Sequence, residues 1–236
     1  EKVELVTRLI DDKKVSKDYS VSIEKVNDKF DIVRIRAGGG KYIRKELLWN
    51  HLEEFIDKSI KYLKAKKRLP DFIHSHYADA GHVCVELTRF FGIPFIHTSH
   101  SLGKDKQKKL LEDGVSKENL EKRYKMSQRI QSEENIFYFA DLIVTSTSQE
   151  IENHINNYEN AARSKFKVIP PGLDLGKFIP YNEMLQHDKE TTLLIEHINR
   201  EYNKFFVNID KPLILSLCRP DKRKNISGLI TAYGED

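Results

Sequence analysis

Short runs of β-branched and aromatic residues alternate along this chain with longer stretches whose apolar positions recur at helical spacing. Seven runs predict strands: 3-VELVTR-8, 31-DIVRIR-36, 71-DFIHSH-76, 94-PFIHTS-99, 141-DLIVTS-146, 166-FKVIP-170 and 212-PLILSL-217. Between the second and third of these, Leu48, Leu52, Phe55, Ile56, Ile60 and Leu63 fall on one helical stripe. Another helix is predicted from near Ala80 to Phe91, with Gly92 and Pro94 as its stop. Thr147 and Glu150 form a capping-box pair ahead of 148-SQEIENHINNY-158. Strands alternating with helices at this spacing predict an α/β fold with a doubly wound parallel sheet.

The stretch 169-IPPGLDLG-176 interrupts that alternation, because consecutive prolines continue neither a helix nor a strand. A polar helical pattern follows from about Asn182 to Lys204, and the apolar run at 212–217 then predicts the start of a second sheet. The expected organisation is a first domain over 1–171, and a linker with the start of a second domain over 172–236. No internal repeat or low-complexity segment stands out. The charge-dense run 104-KDKQKKLLEDGVSKENLEKR-123 is expected to be a solvated loop and helix face.

Composition narrows the function classes. With 236 residues, 39% of them hydrophobic, the chain is long enough to bury a substantial core. Forty basic residues against 36 acidic ones leave a net charge of +4, and the basic residues recur at loop ends rather than in a block. That balance argues against a nucleic-acid partner. Cys84 and Cys218 both sit in apolar runs and are expected to be buried thiols in a reducing compartment, not a disulfide or a metal site. No apolar run approaches the roughly 20 residues of a membrane span, and no signal-peptide pattern opens the chain. The chain begins inside a strand-like segment and stops early in a helix-like one, so a piece of a longer cytoplasmic protein is expected.

Polar residues collect where the predicted strands end. His74-Ser75-His76-Tyr77, His97-Thr98-Ser99-His100-Ser101, Thr145-Ser146-Thr147-Ser148 and Arg219-Pro220-Asp221-Lys222-Arg223-Lys224 each follow a strand. In open α/β sheets ligands bind beyond those carboxyl ends. Five histidines between His74 and His100 raise the question of a metal. The only acidic residue at ligand spacing is Asp79, so a cleft of hydrogen-bonding histidines is favoured over zinc, with His74 and His97 expected in the core. A Ser–His hydrolase at His100-Ser101 lacks the G-x-S-x-G elbow. An anion site accounts for more: Gly103 would admit backbone amides to a ligand, Lys104 and Lys106 would add charge, and 77-YADAG-81 opens a helix. Arg219 and Lys224, just ahead of another helix, form a pair suited to a diphosphate leaving group.

The segments 45-KELLWNHLEEFID-57, 76-HYADAGHVCVEL-87, 98-TSHSLGKDK-106, 129-RIQSEE-134, 143-IVTSTSQEI-151, 168-VIPPGLD-174 and 218-CRPDKRKN-225 resemble the sucrose-phosphate synthases, retaining glycosyltransferases of the GT-B fold. The resemblance runs in order along nearly the whole chain; HYADAG and HSLGKDK are its specific part. It implies two Rossmann-like doubly wound domains with the active site between them, the second mostly absent here. The implied reaction moves glucose from a nucleoside diphosphate glucose, UDP-glucose, to fructose 6-phosphate, giving sucrose 6-phosphate. By matching position, Lys45, Tyr77, Ser101, Lys106 and Arg129 would line the acceptor site. His100 would meet the donor sugar, and Arg219 and Lys224 would bind the diphosphate. Retention without an enzymic nucleophile would have the acceptor attack the face that the leaving group vacates, the departing phosphate taking the proton. The nucleotide sugar would be a co-substrate, with no tightly bound cofactor and no metal.

Two positions depart from the family pattern. Ser99 stands where a glycine usually precedes His-Ser-Leu-Gly, and Gln128-Arg129 stands where two arginines are common. The resemblance further implies that 1–236 alone is inactive, since the family's N-terminal glycine-rich loop and C-terminal paired glutamates lie outside it. Two rival readings remain. One is mannosylfructose-phosphate synthase or another retaining GT-B enzyme; the other is a non-catalytic sugar-phosphate-binding module.

Overall fold

A computed structural model describes residues 2–176, 178, 189–208, 211–212 and 214–235. The chain divides into two compact units, Glu1–Pro171 and Gly172–Asp236. The first unit carries two sheets. In one, β1 (Val3–Arg8) and β3 (Phe30–Ile35) run parallel, and β2 (Ile23–Asn27) joins β3 antiparallel, giving the order β1-β3-β2. In the other, β4 (Ile73–His76), β5 (Phe95–Thr98), β6 (Leu142–Thr145) and β7 (Phe166–Val168) lie side by side in chain order, all parallel. Each crossover in this second sheet carries at least one helix, as parallel neighbours require.

The α/β architecture and its parallel sheet match the sequence pattern, but β2 is missing from the predicted strands. Its alternation is weak for a physical reason. Ile23 and Val26 are both exposed, and the register slips between Lys25 and Asn27, so the period of two breaks. Asn27 Oδ1 accepts the Lys29 N–H at 2.9 Å and tightens the turn into β3.

The helices of the first unit are α1 (Leu52–Lys64), α2 (Tyr77–Phe91), α3 (Gly103–Glu112), α4 (Lys117–Tyr124), α5 (Met126–Phe139) and α6 (Ser148–Asn157). The stripe that begins at Leu48 starts in a 3-10 turn over Lys45–His51 and continues in α1. Helix α2 begins three residues before the predicted Ala80, directly off β4, because Tyr77 takes a left-handed φ of 69° and turns the chain without a loop. It ends as expected, with Gly92 left-handed and its N–H bonded to the Thr88 carbonyl at 2.8 Å. Thr147 caps α6 by accepting the Glu150 N–H, and the Glu150 carboxylate reaches back to the Ser146 N–H at 2.8 Å.

Helix α2 serves two cores. Ile56 and Leu63 of α1 pack with Val83, Leu87 and Ile93. On the other side Val85 joins Phe95, Ile136, Phe137, Ile143 and Tyr158, most of which are almost inaccessible to solvent. Gly81 permits this approach: a Cβ there would lie 2.2 Å from Ile136 Cδ1. Cys84 lies against the second core.

The second unit contains α7 (Lys189–Tyr202) and α8 (Ile226–Glu235). The predicted helix from Asn182 is therefore seen from Lys189 onward, and 182–188 lie outside the described residues. The predicted strand at 212–217 does not form among its described residues, Leu213 lying outside them. Ile214, Leu215 and Leu217 are exposed there, with no neighbouring strand in the described part of this unit to complete a ladder. Cys218 is exposed for the same reason, contrary to the expected burial. No helix among the described residues is long and apolar enough to cross a membrane.

Candidate active site

Strands β4 and β5 end side by side, with His76 opposite Thr98, and their carboxyl ends carry a column of rings. The His74 and His76 rings lie 4.6 Å apart, since alternate strand residues share a face. The His76 and His100 rings meet edge to edge with centres 5.0 Å apart, and the Tyr77 ring lies tilted 4.6 Å from that of His100. Polar bonds fix the column: His74 Nε2 to Thr98 Oγ1 at 2.8 Å and His76 Nδ1 to His100 Nε2 at 2.7 Å. His100 sits at a left-handed φ of 59°, which tips its ring back over the end of β4. Burial first, then neighbouring imidazoles, holds the pKa values of His74 and His100 below the ordinary histidine range. The neutral rings can therefore act as both donors and acceptors.

His74 belongs to this exposed column and not to the core, correcting the expectation from sequence. His97 does lie in the core. It points to the opposite face of the sheet, 1% exposed, with Nδ1 bonded to Ser75 Oγ at 2.7 Å, and burial lowers its pKa to about 3. Among the described residues no group of three His, Cys, Asp or Glu side chains is arranged to hold a metal ion.

The column continues into a hollow lined with cations. Lys45 Nζ lies 4.4 Å from the centre of the Tyr77 ring. Lys45 also lines a hollow with Glu46, Trp49, Lys106, Tyr124, Met126 and Arg129. Lys106 Nζ rests 4.1 Å above the Tyr124 ring. Its pKa is lowered by burial first, then by the positive charges of Arg129 and Lys45. Cations placed close enough to repel one another have a preference for an anion built into their arrangement. The sequence identified Lys45, Lys106 and Arg129; it did not single out Trp49, from the same 3-10 turn as Lys45, or Tyr124, from the end of α4.

Arg129 is oriented by a buried carboxylate. Its Nε donates to Glu133 Oε1 at 3.0 Å, while one terminal nitrogen donates to the Ser101 carbonyl at 3.1 Å and to Ser101 Oγ at 3.2 Å. Glu133, 2% exposed, also accepts the Gly103 N–H at 2.8 Å and the Tyr158 hydroxyl. Contrary to the expectation from sequence, Gly103 therefore does not offer its amide to a ligand, because Glu133 takes it. The glycine is needed because a Cβ would stand 2.7 Å from Glu133 Oε2. Lys104 also turns away, towards Glu134, the Asn157 carbonyl and the Tyr158 ring. Glu133 was legible only as the residue four after Arg129, a spacing that puts both on one helix face.

In the second unit Arg219 is exposed, 3.9 Å from Asp221 Oδ2, and a 3-10 turn over Lys222–Lys224 precedes α8. Asn225 takes a left-handed φ of 48° at that junction, and Lys224 is exposed. Both cations thus lie in the segment that leads into α8.

Comparison with known proteins adds lineage to this geometry. The family model described as the sucrose synthase first GT-B domain matches residues 1–200. A probable sucrose-phosphate synthase 2 of Arabidopsis thaliana is 32% identical, covering 99% of this chain and 27% of that protein. Sucrose-phosphate synthase 1 of the same plant is 34% identical, covering 93% of this chain and 25% of its own length. This chain thus spans about a quarter of the curated relatives it matches. A solved sucrose-phosphate synthase from Thermosynechococcus elongatus superposes with a TM-score of 0.68 at 24% identity, over 98% of this chain and 49% of that one. That likeness concerns the fold.

Proposed function

This chain belongs to the sucrose synthase first GT-B domain family, and we propose that it works in a retaining glycosyltransferase that moves glucose from UDP-glucose to fructose 6-phosphate. The observation that carries the reading is the convergence of Lys45, Lys106 and Arg129 on one hollow, joined through Tyr77 to the His100 ring. A phosphate there would gain charge-assisted hydrogen bonds from three cations, leaving the sugar to lie towards the carboxyl ends of β4 and β5. Ser101, bonded to Arg129, would contribute its hydroxyl to the same acceptor.

In this reading His100 contacts the donor sugar, and Arg219 and Lys224 hold the diphosphate. The charge that they meet grows as the glycosidic bond breaks, so they act chiefly on the transition state. One such donor in another enzyme is worth about 2.7–4 kcal/mol. The acceptor hydroxyl attacks the face that the diphosphate leaves and passes its proton to the departing phosphate oxygen. Names of relatives that couple sucrose with phosphate support the acceptor assignment.

The test is a transfer assay on the full-length protein with UDP-glucose and either fructose 6-phosphate or fructose. Sucrose 6-phosphate formed only from the phosphorylated acceptor is the expected result. Transfer only from a different nucleotide sugar to the same acceptor would replace the donor, as in mannosylfructose-phosphate synthase. Binding of the sugar phosphate without turnover would replace the enzyme with a binding module.

A further inference from the structure

The bond between His76 and His100 restricts what His100 can offer a ligand. His100 stands on an exposed loop with a left-handed backbone, a place where a ring would otherwise swing freely. Two things hold it: the 2.7 Å bond from His76, along which the two nearly coplanar rings meet edge to edge, and the Tyr77 ring beside it at 4.6 Å. His76 is itself braced. It closes β4, precedes the first residue of α2 and has His74 stacked behind it, which is tied to Thr98 on β5. The brace is therefore anchored in the sheet while the braced ring sits on a loop.

A nitrogen-to-nitrogen bond needs one N–H and one lone pair, and either ring can supply the N–H, so the bond makes the His100 tautomer the complement of that of His76. His100 spends Nε2 on it, so Nδ1 is the nitrogen left for a ligand. We propose that His76 is a positioning residue for His100, locking its ring and its tautomer so that Nδ1 alone faces the substrate. The proposal rests on the reading that His100 contacts the donor sugar. A sugar hydroxyl can either donate or accept, so a fixed tautomer decides which of the two it does and therefore how the sugar must turn. A ring free to flip would present either nitrogen in either state and lose that selection.

Two arms test this, one on the ring and one on the reaction. Long-range proton–nitrogen NMR of the histidine rings in residues 1–236 reads the tautomer directly, with His100→Gln identifying the signal. One protonated and one bare nitrogen are expected for His100 in the native protein, and averaged shifts in His76→Phe, which keeps a ring but cannot bond. His76→Asn places an amide near the lost Nδ1 and should restore the fixed pattern. Averaged shifts in the native protein, or a fixed pattern unchanged in His76→Phe, would overturn the proposal. In the full-length enzyme His76→Phe should lower kcat about tenfold with little change in acceptor KM, the scale of one hydrogen bond to a polar group, and His76→Asn should recover most of it. If the tautomer responds and kcat does not, His76 positions His100 as proposed, and the donor-contact role of His100 fails instead.

Discussion

The Tyr77 and His100 rings lie tilted against each other, 4.6 Å apart, although both residues hold left-handed backbones, φ 69° and 59°. Neither is glycine, so each bears a Cβ clash that ordinary residues avoid, and the two strained residues sit at adjacent strand ends. Strain at His100 is separable from the ring by comparing two truncations. His100→Ala and His100→Gly both lose the imidazole, but only the alanine keeps the Cβ. The glycine variant should be more stable by about 1 kcal/mol in urea denaturation. Equal stabilities would mean that the loop does not hold this φ in solution.

Glu133 is the second point at which the site can be tested through stability. It is a buried carboxylate that accepts from Arg129, Gly103 and Tyr158 at once. Glu133→Gln keeps the shape but removes the charge opposite a buried guanidinium and turns one acceptor into a donor aimed at donors. Breaking a buried ion pair from one side costs about 3–5 kcal/mol, so a loss of at least 3 kcal/mol is expected by denaturant titration. Glu134→Gln, on a more open carboxylate that accepts from the Glu159 and Asn160 N–H groups, the Asn160 amide and Lys104, should cost clearly less. A Glu133→Gln variant as stable as native would show that the network does not brace the loop after β5.

The contrast between these carboxylates shows what a sequence can and cannot reveal. Strand ends, the Gly92 stop and the Thr147 cap were legible because each depends on residues a few positions apart. The cations Lys45, Lys106 and Arg129 were legible through resemblance, but their convergence depends on how three elements pack. Gly103 was read as a loop glycine opening onto a ligand; its actual partner, Glu133, lies 30 residues away. His74 was expected in the core, yet it shares the exposed face of β4 with His76, while Ser75 between them turns to the buried face. The run 212–217 has strand composition but no partner strand among the described residues, and composition alone does not make a ladder.

Acid should destabilise the first unit by a route that can be traced to one residue. Burial lowers the His97 pKa from 6.5 to about 3 in the folded chain. Between those values the unfolded chain binds a proton that the folded chain does not, so stability is complete above about pH 6.5 and declines as pH falls towards 3. His74, His100 and His154 are lowered by burial as well and act in the same direction. His97→Asn can keep the bond to Ser75 Oγ without a group that titrates in this range. Its stability should decline less steeply than native between pH 6 and 4 in urea titrations. An unchanged slope would assign the acid sensitivity to the other histidines.

The two thiols should differ in reactivity by position alone. Burial pushes the Cys84 thiol up to about 12, whereas Cys218 is exposed. The thiolate is the nucleophile, so iodoacetamide at pH 8 should label Cys218 first, with Cys84 reacting only after denaturation. Rapid native labelling of Cys84, read by mass spectrometry, would contradict its packing against the core and its raised pKa.

The acceptor hollow gives the most direct test of function. Lys106 is its most informative cation, because its Nζ lies on the Tyr124 ring whereas Arg129 is already bonded to Glu133 and Ser101. Removing Arg129 would leave Glu133 without its ion-pair partner, so a loss of activity could come from the fold. Lys106→Met keeps most of the stem against Tyr124 and removes only the charge. A charge-assisted hydrogen bond lost to a phosphate should raise the KM for fructose 6-phosphate roughly ten- to a hundredfold while the donor KM changes little. Gln128 is exposed one position before Arg129, and Gln128→Arg should lower the acceptor KM by adding a cation beside the hollow. Fructose itself should be a poor acceptor for the native protein, and Lys106→Met should not worsen it further, since there is no phosphate to lose. If Lys106→Met weakens fructose and fructose 6-phosphate equally, the lysine supports the shape of the site, and the phosphate must bind elsewhere.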